Sequence, residues 1–138
     1  MDEQAKKKDV SKSIAVDHAE NPRNLGNIPN ADGFSQEEGE DGDAIAIWLR
    51  IKNNRIDKAT FWTDGCGAFI ACGSMVTELA KNHTVEEAFK IEAQDVLNAL
   101  EGLPEGHGHV AALAVHTLKD ALKDYQIVQS SLEKTYSN

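Results

Sequence analysis

The chain is poor in several things that particular functions require. Only two of its 138 residues are cysteine, Cys66 and Cys72, and only three are proline. Two cysteines cannot build a disulfide framework. If the segment between them is helical, their spacing puts them about 240° apart around the axis, so they cannot bridge, and a reducing compartment fits. Positive charge is also scarce: 14 lysines and arginines stand against 23 acidic residues, a formal net charge of -9. That balance repels phosphate backbones and argues against nucleic-acid binding and a polybasic membrane anchor. No apolar run approaches the roughly 18 residues of a membrane span. The first residues (Met1, Asp2, Glu3, Gln4, then Lys6 to Lys8) lack a signal peptide's apolar segment. The expected compartment is the cytoplasm. The 41% of hydrophobic residues suffices for a core. One domain over 1–138 is expected, with loose ends at 1–9 and 129–138.

What is present divides into strands first and helices after. A short helical stretch from Val10 to Ala19 places Ile14 and His18 on one face, and Pro22 ends it. Asn21 to Gly42 is polar, with four glycines and an acidic run from Glu37 to Asp41, and is expected to be a loop. Ile45, Ile47, Leu49 and Ile51 then alternate with Ala44, Ala46, Trp48 and Arg50, the period of a strand. Paired asparagines, Asn53 and Asn54, supply a turn into a second strand over Arg55 to Thr63. That strand is expected to carry Ala59 and Phe61 on one face and Ile56 and Trp62 on the other. The period then becomes helical through Phe69, Cys72, Val76 and Leu79. Thr84 with Glu87 reads as a capping box, and Val96, Leu97 and Leu100 mark another helix before Gly102-Leu103-Pro104. The last helix begins near His109, with Ala114, Leu118, Ala121, Leu122 and Tyr125 on one stripe. The class is α+β: a small antiparallel sheet with helices packed on it.

Chemistry can gather at one end of such a sheet. In an antiparallel hairpin the start of the first strand lies beside the end of the second, which makes Asp43 and Cys66 neighbours. Cys66 stands between Gly65 and Gly67 just before a helix, where amides favour the anionic sulfur that binds metals. A carboxylate, a thiolate and an imidazole from the His107–His109 loop would make a metal site. Cys72 reads as a small buried hydrophobe. His18, His83 and His116 read as ordinary histidines, and Trp48 and Trp62 as hairpin packing.

Asp17-His18, Asn21-Pro22-Arg23-Asn24, Gly65-Cys66-Gly67, Ile70-Ala71, Ser74, Thr77-Glu78-Leu79, Leu103-Pro104 and His109 carry a resemblance. Together they resemble the NifU/IscU family of iron–sulfur cluster assembly scaffolds, from about Val10 to Gln126. The resemblance implies a three-stranded antiparallel sheet, its third strand drawn from the acidic loop. It implies a scaffold, not an enzyme, holding a labile two-iron, two-sulfur cluster on three cysteines. Its partners would be a cysteine desulfurase and apo iron–sulfur proteins. Matched residue by residue, Asp41 and Val110 stand where that family has its first and third cysteines, while Asp43, Cys66 and His109 are kept. The implied ligand set is Asp41, Asp43, Cys66 and His109, for iron, a labile cluster or zinc. Two other readings remain open: a metal-free interaction protein of the assembly machinery, and a sulfur carrier accepting a persulfide on Cys66.

Overall fold

The alternation over residues 44–63 folds as a hairpin, and everything else packs around it. This is a computed structural model, and it describes residues 13–104 and 106–136, with side chains described as far as residue 132. Its elements in order are α1 (Ile14–Glu20), β1 (Gly33–Glu38), β2 (Ala44–Lys52), β3 (Arg55–Thr63), α2 (Gly67–Ala80), α3 (Val85–Ala88), α4 (Ala93–Leu100) and α5 (Gly108–Tyr136). The three strands form one antiparallel sheet in the order β1-β2-β3. Asn53 and Asn54 both take positive φ (53° and 63°) in the turn between β2 and β3, as the short polar side chains there allow.

The helices lie on one face of the sheet. α5 crosses β1 and β2, α2 lies on β3, and α4 fills the angle between α2 and α5. Ile45, Ile47, Leu49 and Phe61 from the sheet meet Val76 from α2, Val96 and Leu100 from α4, and Leu118 and Leu122 from α5. All of these are fully buried. Each such side chain contributes about 1.5–3 kcal/mol, whereas an exposed pair such as Lys52–Asp57 at 3.7 Å contributes about 0–1 kcal/mol. Packing on the sheet therefore decides the fold. On the opposite face the rings of Phe34 and Trp48 pack at an interplanar tilt of 46°, centroids 5.1 Å apart, while Trp62 is exposed.

The expected α+β class and the three-stranded antiparallel sheet are what the chain adopts. Two details differ. The stretch read as loop contains β1, whose inward positions are Gly33 and Ser35. An inward face built from glycine and serine leaves no hydrophobic alternation to detect. Ile56 also lies in the core, not on Trp62's face. The pairing shifts between Arg50 and Ile51, so that Arg50 faces Lys58 but Ile51 faces Ile56. This bulge leaves Asp57 as the extra residue and turns Ile56 inward against Ile51.

At the ends, residues 1–12 of the expected loose terminus and first helix lie outside the described residues. Ser13 caps α1, its hydroxyl accepting from the Val16 amide at 3.2 Å. α5 runs on to Tyr136, past the Gln129 where the chain was expected to loosen. No glycine or proline interrupts residues 109–136, so nothing stops the backbone hydrogen bonding.

Gly33 shows how closely α5 approaches β1. A Cβ at that position would stand 2.5 Å from the Ala121 carbonyl oxygen and 3.2 Å from the Tyr125 Cβ. Gly33→Ala is expected to lower the unfolding free energy by about 1–3 kcal/mol, the range for overpacking. Urea denaturation measures this, and an unchanged midpoint would mean that the helix can yield.

Candidate metal centre

Three loops meet at the end of the sheet where β2 begins and β3 ends. The β1–β2 turn closes through Gly39 and Asp43, the Gly39 amide donating to the Asp43 carbonyl at 2.8 Å, and Gly42 takes a φ of 88°. The β3–α2 loop is tied to it. The Ala44 amide donates to the Asp64 carboxylate at 2.8 Å, and the Thr63 hydroxyl donates to the Ala44 carbonyl at 2.6 Å. The first turns of α5 join them at Gly39, where a Cβ would stand 3.3 Å from Leu113 and 4.0 Å from Phe69 of α2.

Cys66 occupies the N-cap of α2 in an extended conformation, makes no side-chain capping bond, and is exposed. Asp41 and His109 are exposed and Asp43 is half-buried; both aspartates lie in the β1–β2 turn and His109 in the first turn of α5. The loops are brought together; the donor atoms are not yet gathered. Among the described residues, no three of Asp41, Asp43, Cys66 and His109 hold ligand atoms within 4.8 Å of one another. Val110 faces inward, buried in the core. Cys72 is buried one and a half turns along α2, and both cysteines are free. Burial, helped by the neighbouring Cys66, pushes the Cys72 thiol up to about 12, so it carries no thiolate chemistry near neutral pH. Beside Cys66, an apolar groove of about 220 Å³ runs between α1 and α2 and is closed by Leu103, Pro104 and His107.

The N-terminal segment is positioned by a polar network on α2. His18 is buried, its Nδ1 2.6 Å from the Ser74 hydroxyl, and the same hydroxyl accepts from the Arg23 amide at 3.0 Å. Asn24 donates to Thr77 at 3.0 Å and Glu78 at 2.9 Å, and accepts from Lys81 at 2.9 Å. Lys81 and Asn24 hold the Glu78 carboxyl below its ordinary range, and Arg23 and Asn21 do the same for Asp17. His18 was read as an ordinary surface or partly buried histidine. It is instead the buried pin between α1 and α2.

A second convergence was not found in the sequence: Glu37 from β1 with His116 and Asp120 from α5, their ligand atoms all within 4.8 Å. A hydrogen bond to Asp120, together with burial, raises the Glu37 carboxyl above its ordinary value. The spacing of His116 and Asp120, one helical turn, was the available signal. Glu37 carried none, because the strand that places it was hidden.

Residues 10–131 match the model of the NifU-like N terminal domain. The chain is 43% identical over 119 residues to the iron-sulfur cluster assembly scaffold protein IscU 1 of Archaeoglobus fulgidus, covering 86% of this chain and 78% of that one. It is 35% identical over 122 residues to the iron-sulfur cluster assembly scaffold protein IscU of Aquifex aeolicus, with the same coverage of 86% and 78%. Its fold is similar to that of a NifU-like N-terminal protein from Brucella abortus. The TM-score is 0.66 at 14% identity, covering 86% of this chain and 96% of that one.

The pin at His18 has a consequence in acid. Burial and then the Arg23 charge lower its pKa below the ordinary 6.5. Above 6.5 both folded and unfolded states hold it neutral, and its contribution is complete. Below 6.5 the unfolded chain takes up a proton that the folded chain refuses, so stability falls until the folded value is passed. His18→Gln should therefore lose less stability than the parent between pH 7 and pH 5 (about one and a half units below the free histidine value). Urea midpoints across that range test it; parallel curves would exclude His18 as the titrating pin.

Proposed function

The chain belongs to the NifU-like N-terminal domain family, and from that membership we propose that it is an iron–sulfur cluster assembly scaffold with a reduced cargo site. The observation that carries the proposal is Cys66, an exposed sulfur at the N-cap of α2, on the loop where two other potential donor loops meet. Asp43, Cys66 and His109 would offer oxygen, sulfur and nitrogen, with Asp41 or a water as a fourth ligand. That mixture suits one ion of the zinc or ferrous class, since clusters are held mainly by thiolates. Asp41 and Val110 stand where the family resemblance puts cysteines, and valine has no ligand atom. Cargo binding would draw the Gly39–Asp43 turn toward Cys66, because the donors stand apart in the folded chain.

In this reading a cysteine desulfurase and apo iron–sulfur proteins are the partners that the chain docks. The protein holds and passes cargo; it does not turn over a substrate of its own. No helix among the described residues is long and apolar enough to cross a membrane.

Cobalt(II) added to the metal-free full chain should produce a thiolate-to-metal charge-transfer band. Cys66→Ala should abolish it, and His109→Ala should weaken that binding by at least about tenfold. Protein purified aerobically should be colourless at this site, with zinc at up to one ion per chain. Iron and acid-labile sulfide in equal amounts would overturn the single-ion form. No thiolate band, with desulfurase binding intact, would replace cargo binding by a docking role.

A further inference from the structure

The Glu37–His116–Asp120 convergence lies outside the Cys66 region and has a different chemistry. We infer that these three side chains form a second site, selective for a borderline divalent cation, at the contact between β1 and α5. The inference rests on their placement and not on the family reading.

His116 and Asp120 stand one turn apart on the same face of α5, and their Nε2 and Oδ2 atoms are 3.1 Å apart. Glu37 comes from β1, with its Oε1 4.0 Å from the same Nε2. Tetrahedral ligands at about 2.0–2.1 Å from an ion are about 3.3 Å from one another, so small side-chain shifts suffice to close around one. The two elements are fixed relative to each other by the close approach at Gly33, which makes the triad a property of packed elements and not of a loop. The largely buried Ser35 hydroxyl bonds Glu37 Oε2 at 3.2 Å and orients the carboxylate from behind, as an outer partner of a ligand does.

The donor set fixes the ion class. One imidazole nitrogen with two carboxylates favours zinc, ferrous iron, cobalt or manganese over calcium and magnesium, which prefer all-oxygen surroundings. Charge points the same way. Glu37 and Asp120 share a hydrogen bond beside the His116 imidazole, and the Lys123 ammonium, 3.9 Å from Asp120, is mostly exposed. A divalent ion would displace the shared proton and bind both carboxylates. His116 follows His109 by seven residues on α5, so it stands about 10 Å further along the helix axis than His109.

The test uses the full chain carrying Cys66→Ala, with cobalt(II) as probe and isothermal titration alongside absorption. This protein should still bind one cobalt, without any thiolate band, and zinc should displace it. Adding His116→Ala or Asp120→Asn should each weaken that binding by at least about tenfold. His116 is exposed and Asp120 half-buried, and circular dichroism checks that the fold is kept. Loss of all cobalt binding in Cys66→Ala, or unchanged affinity in both added variants, would overturn the inference. If the thiolate band of the parent were missing but this site remained, the scaffold reading would fail and this one would stand.

Discussion

Close contact between helix backbone and sheet is the constraint on which the rest of the molecule depends. A three-stranded sheet has one face to bury and few residues with which to bury it. Glycine at two points brings the covering helices near enough. Gly73 of α2 lies flat against the ring of Phe61, and Gly33 of β1 lies under the backbone of α5. Fully buried Ile45, Ile47, Leu49 and Phe61 then fill the space that remains. With dense packing a side chain larger by even one carbon is felt, so these contacts fix the helices in register with the strands. The register matters for function. It sets the start of α2 beside the end of β3, and it sets His116 and Asp120 of α5 over Glu37 of β1.

The same packing separates two cysteines by role. Cys72 points into the core from α2, where burial holds it as a thiol. Cys66 stands just before that helix begins and reaches solvent between two glycines. Around it the turn between β1 and β2, the loop into α2 and the start of α5 are joined through Ala44, Asp64 and Leu113. Below it the His18–Ser74 contact anchors the N-terminal helix on α2, and Ala15, Val16 and Ala19 of that helix line one wall of the apolar groove. The segment whose residues carry the family resemblance is thus also a structural brace.

Much of this was legible in the sequence, for stated reasons. The β2–β3 hairpin showed itself by strict alternation and by the two asparagines that take positive φ in its turn. The capping box of Thr84 and Glu87 forms as its spacing indicates. β1 was hidden because its buried positions carry no hydrophobic side chain, and Ile56 was misplaced because a bulge changes parity in the middle of β3. That the Asp43 and Cys66 loops are neighbours followed from hairpin geometry, which does not place His109. Their donor atoms remain apart, which spacing in a sequence does not report. The Glu37 triad depended on the hidden strand, so only its His116–Asp120 half, one helical turn apart, could be read.

Of the two cysteines only Cys66 is exposed, and the proposed function has its thiol hold metal. Mass spectrometry after brief alkylation tests it most directly, on the native protein with and without zinc and again in denaturant. One native adduct is expected, on Cys66, which zinc suppresses, and a second adduct on Cys72 only after unfolding. Native labelling of Cys72 at the same rate, or labelling of Cys66 that saturating zinc leaves unchanged, would contradict it.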